Sequence, residues 1–252
     1  MPARQTSLNN AFLAFDTATE LMSVALAHEG RVHVHEAPGG ALASAALIPA
    51  VLGLLARAGI TLQQLDAIAF GRGPGAFTGL RTACSVAQGL AFGAGKPVLP
   101  IDTLLAVAED ARVQVGEALP GLRVWAAMDA RMNEVYAAQY GFDGALWRVL
   151  DAPMLVTPQA LHDRWQQEAP QCVAGNALAA FAPLLATDTA LRAPAATPRA
   201  TALLTLAQAM WHAGGAVDAA LALPLYVRDK VAQTTLERDA ARALKAAAEA
   251  VR

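Results

Sequence analysis

The sequence predicts an α/β protein built from two duplicated lobes, and three observations carry that prediction. Apolar segments of strand length alternate with longer apolar segments of helical length. A unit of strand, carboxylate, turn and strand occurs at Asp16 and again at Asp129. The two units open successive halves of similar length, which is the mark of an internal duplication.

Taken in order, Phe12 to Phe15 reads as a strand, and Asp16 to Met22 connects it to a second, Ser23 to His28. The Glu29-Gly30 turn leads to a third strand, Arg31 to Glu36, giving an antiparallel meander. Ala41 to Ala58 is apolar nearly all round and ends at Gly59, the pattern of a helix with a C-terminal glycine cap. Ala67 to Phe70 is a short buried strand. The glycine-rich stretch from Gly71 to Gly79 leads into a helix, Leu80 to Ala94, which Gly95-Lys96-Pro97 ends before a strand at Val98 to Ile101. In the second half, Arg123 to Met128 is a strand ending in Asp129, and Glu134 to Tyr140 is its partner, closed by Gly141 to Gly144. Cys172 to Ala174 is a strand running into Gly175-Asn176, Ala193 to Ala200 is a surface connection, Leu203 to Ala213 a helix, and Leu236 to Val251 a surface helix. The boundaries that follow are 1–105 for the first lobe, 106–235 for the second and 236–252 for a helical tail. Duplicated lobes of this kind are what actin-like, sugar-kinase-like folds are made of.

Composition narrows the function. With 252 residues, 55% of them hydrophobic, the chain can bury cores in both lobes. Charged residues are 16% and the formal net charge is -2, which excludes a disordered chain and a polybasic nucleic-acid clamp. The apolar run Ala11 to Phe15 is cut by Asp16, so no export signal is visible. Leu42 to Ile60 is interrupted by Ser44, Pro49, Arg57 and two glycines and is rich in Ala. It therefore reads as a buried or interfacial helix of a soluble protein rather than a span of roughly 20 strongly apolar residues. Cys84 and Cys172 lie far apart with no C-x-x-C pair, which points to reduced thiols and a cytoplasmic location.

Asp16, followed by Thr17, Ala18 and Thr19, has two readings. A carboxylate at a hairpin mouth can hold a metal-bound water beside a nucleotide, with hydroxyls and turn amides on the phosphates; or Asp16 and the threonines hydrogen-bond their own turn. The stretch Gly71, Arg72, Gly73, Pro74, Gly75, Ala76, Phe77, Thr78, Gly79 also has two. It is no P-loop, lacking the Gly-Lys-Ser/Thr end, and Ala76 breaks G-x-G-x-x-G. Glycines at a helix N-terminus present amides to an anion, and Arg72 and Arg81 flank them; the alternative is a tight strand-to-helix turn that binds nothing. His33 and His35 share a strand face, His162 and His212 are isolated, and G-x-S-x-G is absent, so neither a metal site nor a hydrolytic triad is encoded in recognisable form.

The segments Leu13 to Glu20, Ser23 to Leu26, Phe70 to Arg81, Gln88 to Ala91, Met128 to Arg131 and Glu134 to Tyr136 resemble the TsaB (YeaZ) family, with an echo at Pro224-Leu225-Tyr226-Val227-Arg228. The family carries D-T-A-T together with G-R-G-P-G-x-F-T-G-x-R. One departure is Ala43 before Ser44, where members often have His before Ser or Thr. The resemblance implies an actin-like fold and a non-catalytic role beside TsaD, the metal-containing subunit that transfers threonylcarbamoyl to an anticodon-loop adenosine, with the ATPase TsaE. It further implies a degenerate nucleotide cleft at Asp16, Thr17, Thr19, Asp129 and Gly175, with no metal and no cofactor of its own, save an adenine nucleotide held weakly or at a subunit interface. Contact with tRNA is expected through the complex, and a homodimer in isolation. The two apolar helices would then pair with TsaD, through Leu47, Val51, Leu54 and Leu55 on the first and Ala83, Cys84, Ala87 and Ala91 on the second. A rival reading makes the chain an ATP-dependent phosphotransferase or a TsaD-like metalloprotein in its own right.

Overall fold

In the computed structural model, which describes residues 10–116 and 121–228, the chain forms two five-stranded sheets. The first holds β1 (Phe12–Asp16), β2 (Leu21–His28), β3 (Arg31–Pro38), β4 (Ala67–Gly73) and β5 (Val98–Asp102), in the order β3-β2-β1-β4-β5. The second holds β6 (Leu122–Arg131), β7 (Glu134–Phe142), β8 (Trp147–Val156), β9 (Cys172–Ala174) and β10 (Leu191–Ala193), in the order β10-β9-β6-β7-β8. Followed from its other edge, the second sheet repeats the first strand for strand. Each is an antiparallel three-stranded meander whose first strand also pairs in parallel with a fourth, and the fourth with a fifth. This is the duplication that the Asp16 and Asp129 units predict.

Helices cover both faces of both sheets, in five layers. On one face of the first sheet lie α1 (Ala43–Ala58) and α2 (Phe77–Ala94), packed on Leu13, Phe15, Met22, Val24, Ile68 and Phe70. Alternate residues of the same strands, Phe12, Ala14, Ala25, Ala67 and Ala69, turn to the opposite face and meet α6 (Ala200–His212). Beside α6 runs α3 (Thr103–Val115), which packs Leu104, Val107, Ala108 and Ala111 on the second sheet. The far side of that sheet is covered by α4 (Pro158–Glu168) and the short α5 (Ala177–Ala180), around Trp125 and Trp165. Strands buried on both faces are continuously apolar rather than alternating, which is why β1 reads FLAFD.

Several sequence expectations need correction. The helix after the glycines begins at Phe77 rather than Leu80, and β4 runs on to Gly73, so the supposed loop is a turn of three residues, Pro74 to Ala76. The stretch Ala193 to Ala200 is no surface connection, because Ala193, Ala196 and Ala200 are buried. Helix α6 and a 3-10 turn at Ala219–Leu221 pack against the first sheet and α2, so the later part of the chain returns to the first lobe, where a cut at residue 105 assigns it to the second. The stretch 236–252, read as a helical tail, lies outside the described residues.

The largest correction concerns the partner surface. Leu47, Val51, Leu54, Leu55, Ala83, Cys84, Ala87 and Ala91 are all buried in the core of their own lobe. In α1 those positions follow i, i+4, i+7 and i+8, a single helix face, and that face goes to the sheet. The large apolar residues left outside are Leu42 just before α1, Ile48 and Leu52 on α1, and Phe92 on α2. By length and composition Gly40–Ala58 is apolar enough to cross a membrane, but its inner face here is spent on the first sheet.

Five elements went unassigned in the sequence: α3, β8, α4, α5 and β10. Helix α3 is the instructive one, since it carries Glu109 and Asp110 on buried positions. Glu109 is held by Arg112 at 2.7 and 2.8 Å and by the Trp147 indole N–H at 2.9 Å. Asp110 accepts from the Thr197 amide at 3.0 Å and pairs with Arg199 at 3.3 Å, and Arg199 also reaches Glu36 at 3.2 Å. Buried charges survive when fully partnered, and they hide the helix's apolar period.

Candidate functional site between the lobes

The site is built around the end of β1. Asp16 is completely buried. One carboxylate oxygen accepts the Ala18 N–H at 2.6 Å, and the other accepts the Thr103 hydroxyl at 2.8 Å, which in turn accepts the Gly73 N–H at 3.1 Å. A Cβ at position 71 would overlap the Asp16 carboxylate, so Gly71 is what lets β4 close over it. Burial pushes the Asp16 carboxyl up to about 6, against the opposing pull of the Ala18 and Thr103 hydrogen bonds. Thr17 is buried as well and donates its hydroxyl to the Gly79 carbonyl at 2.7 Å, while Thr19 exchanges hydrogen bonds of 3.2 Å with the Leu21 backbone. Asp16 thus turns both oxygens into the protein, one to the Ala18 N–H of its own turn and one to Thr103, while Thr17 bonds the start of α2 and only Thr19 among these threonines bonds its own turn.

The glycine turn is clamped onto the same hairpin. The Ala76 N–H donates to the Ala18 carbonyl at 2.8 Å, a Cβ on Gly75 would lie 2.6 Å from that of Ala18, and one on Gly79 would overlap the Thr17 carbonyl. Gly73 alone among these glycines has a left-handed φ, of 111°. Gly75 and Gly79 are thus required for close approach, not for backbone conformation. The flanking cations are engaged internally. Arg72 pairs with Asp102 at 2.6 Å, and Arg81 stacks over Phe77 at 3.8 Å and donates to the Tyr226 hydroxyl at 3.2 Å.

Between this assembly and the second lobe lies a cleft of about 270 Å³. Of the residues expected at the cleft Thr19 and Asp129 line it, and Pro74, Gly75 and Phe77 of the glycine turn line it as well. Asp16, Thr17, Gly71, Arg72, Gly73, Thr78, Gly79, Arg81 and Gly175 do not line it. Gly175 instead lies where a Cβ would strike the Ala127 carbonyl, so it serves the close packing of β9's end on β6. Glu20, Met132 and Asn176 also line the cleft and were not singled out; Leu225 to Arg228 close it, foreshadowed only by the short motif at Pro224–Arg228.

Charge in the cleft is balanced across the two hairpins. Arg131, at the start of a turn whose residues Arg131, Met132 and Asn133 all have positive φ, pairs with Glu20 at 2.8 Å and with Asp129 at 3.2 Å. Arg131 and Glu20 are largely exposed, so their pair contributes at most about 1 kcal/mol. Arg228 pairs with Glu134 at 2.6 Å and donates to the Ala130 carbonyl at 3.0 Å. Among the described residues no group of three or more His, Cys, Asp or Glu side chains is placed to hold a metal ion.

Comparison with known proteins supplies the context. Residues 32–236 match the family model TsaD, described as tRNA N6-adenosine threonylcarbamoyltransferase. The chain is similar to tRNA threonylcarbamoyladenosine biosynthesis protein TsaB of Escherichia coli strain K12, 36% identical over 225 residues that cover 87% of this chain and 95% of that protein. It is equally similar to the protein of that name from Haemophilus influenzae, 36% identical over 237 residues, 88% of this chain and 95% of the other. Among solved structures, YeaZ from Pseudomonas aeruginosa superposes with a TM-score of 0.77 at 39% identity, covering 86% of this chain and 99% of that one. An inorganic polyphosphate/ATP-glucomannokinase from Arthrobacter sp. strain KM superposes at 0.50 with 12% identity, covering 81% and 100%, a likeness of fold alone.

Proposed function

The chain belongs to the TsaB (YeaZ) family, and from that membership we propose that it takes part in threonylcarbamoyladenosine formation on tRNA as a non-catalytic subunit that supports a TsaD homologue. The observation that carries the non-catalytic reading is that the polar groups in and beside the cleft are committed to partners within the chain. Asp16 is buried beneath Gly71, and the Ala76 N–H at the start of α2 donates to the Ala18 carbonyl rather than facing the cleft. Glu20 and Asp129, the carboxylates nearest the cleft, share Arg131. Transfer of the threonylcarbamoyl group then belongs to the TsaD homologue, with TsaE as the ATPase of the assembly. An adenine nucleotide binds this chain weakly or at a subunit interface, tRNA is contacted through the complex, and the protein works in the cytoplasm.

The partner surface is the outer side of α1 and α2. Leu42, Ile48, Leu52 and Phe92 are 63%, 44%, 52% and 85% exposed. On the same helices Gly53 of α1, Gly89 of α2 and Gly93 in the last turn of α2 have open space where a Cβ would stand. A helical glycine costs roughly 1 kcal/mol relative to Ala, and close approach of a partner helix is a reason to bear it. In isolation the same face pairs with a second copy.

The test is Leu52→Arg, assayed for binding to the TsaD homologue and for tRNA modification in a reconstituted mixture. The variant is expected to fold normally and to lose both. Normal binding overturns the surface assignment. ATP turnover by the isolated wild-type chain that disappears in Asp16→Ala overturns the non-catalytic reading and favours the phosphotransferase.

A further inference from the structure

Beyond the 3-10 turn at Ala219–Leu221 the chain does not continue as a helix. Ala222 is extended, Pro224 has no N–H to donate and biases Leu223 towards extended backbone, and Leu225 to Arg228 belong to no helix or strand. Such a segment is held by what it touches, and this one touches both lobes. On the first lobe, the Leu225 N–H donates to the Arg72 carbonyl at 2.7 Å. A Cβ at position 73 would lie 2.9 Å from the Leu225 carbonyl, so Gly73 lets the segment lie against the end of β4. The Tyr226 ring is 5.5 Å from that of Phe77, and its hydroxyl accepts from Arg81 at 3.2 Å.

The next residues are fixed to the second lobe. Val227 packs against the core of the second sheet. The Arg228 side chain, only 13% exposed, pairs with Glu134 of β7 at 2.6 Å and donates to the Ala130 carbonyl of β6 at 3.0 Å. Taking one partner from a pair so shielded leaves a charge uncompensated. From Leu225 to Arg228 is three residue steps, which even fully extended reach at most about 11 Å. The lobes therefore cannot part here while both anchors hold. The chain also passes between the lobes where β5 leads into α3 and where β10 leads to α6, and crossings of this kind can bend as hinges. The Arg131–Glu20 pair spans the cleft as well, but its side chains are 71% and 81% exposed, so its hold is weak.

We propose that Leu225–Arg228 is a strap that locks the two lobes about the cleft, with Arg228 as its pin. The cleft widens only when Arg228 leaves Glu134 and the Ala130 carbonyl. Because Leu225, Tyr226, Val227 and Arg228 themselves line the cleft, release of the pin both frees the lobes to turn and withdraws one wall of the cavity. The device goes beyond the accessory role proposed above and holds whichever surface binds a partner, since it rests on contacts within one chain.

The experiment places spin labels on the two outermost layers, through Ala45→Cys in α1 and Gln166→Cys in α4, both exposed positions, while Cys84 and Cys172 are buried. Pulsed electron paramagnetic resonance reads the distance between the labels in the otherwise wild-type chain, in Arg228→Met, in Glu134→Gln and in Glu20→Gln, with a thermal melt of each. The wild-type background and Glu20→Gln are expected to give one narrow distribution, and Arg228→Met and Glu134→Gln to add a longer population. If Arg228→Met melts too early to be read, Glu134→Gln decides, because it keeps the shape of the side chain and removes only its charge. Distances unchanged in both pin variants overturn the proposal even if their melting temperatures fall, since that is the outcome of a merely structural contact. Equal broadening in Glu20→Gln, or a distribution already broad in the wild-type background, overturns it too, because the strap would then not be what holds the lobes.

Discussion

Replacing Asp16 with Asn removes a charge from a fully buried position while nearly preserving its shape. Burial holds the Asp16 carboxyl at about 6, against an ordinary value of 3.8. The native state thus binds this proton more tightly than the unfolded chain, so its favourable contribution is complete below pH 3.8 and is lost as pH rises through about 6. The gap of roughly two units, at about 1.4 kcal/mol each, makes the ionised carboxylate cost the fold on the order of 3 kcal/mol at neutral pH. An Asn side chain keeps an oxygen for the Ala18 N–H and offers its amide to the Thr103 hydroxyl oxygen, which in the wild type donates to Asp16. Some of the gain is lost in that exchange of donors, leaving an expected stabilisation of about 1–3 kcal/mol at pH 7.5. For a protein of this size that raises Tm by roughly 2–4 °C per kcal/mol. Thermal melts of both proteins from pH 4 to pH 8 provide the assay, and the two curves should converge at the acid end. An Asn variant less stable than wild type at pH 7.5, or a gain undiminished at pH 4, would refute the reasoning. Because the carboxylate is turned away from the cleft, the variant should also support tRNA modification at the wild-type level in the reconstituted mixture.

Gly79→Ala should lose roughly 1–3 kcal/mol in a urea melt, because its Cβ meets the Thr17 carbonyl. Gly89→Ala, in open space on the same helix, should instead gain up to about 1 kcal/mol; equal melts for the two would dispose of the close-approach argument. Leu54→Ala, in the core, should cost about 2–5 kcal/mol. Leu52→Ala, half exposed two residues away on the opposite face, should stay within about 1 kcal/mol, and a reversed order would mean that the helix faces are wrongly assigned.

Local chemistry made much of the fold legible. The meander of β1 to β3 follows from short apolar runs and the Glu29-Gly30 turn, whose residues take φ of 48° and 72°. Gly59 and Gly95 end α1 and α2 in left-handed caps as a C-terminal glycine should. The repeated strand, carboxylate, turn and strand unit announced the duplication that both sheets display. Helix α4 was equally legible, since Thr157 caps it through the Ala160 N–H and Pro158 opens it, although that signal was passed over.

What the sequence determined by itself were the elements, the duplication and the family, because periodicity, caps and short motifs act between neighbours in the chain. Tertiary structure decided which face of each helix meets the sheet, since Leu52 and Leu54 are equally apolar and only the position of β2 and β3 makes one of them core. It decided also that Asp16 is sealed rather than presented to a ligand, through Gly71 and Thr103, which lie on other elements. And it returned Ala222 to α2 across more than a hundred residues, leaving Leu221 and Leu223 beside that helix. Burial is set by what arrives from elsewhere in the chain, and no local pattern contains that information.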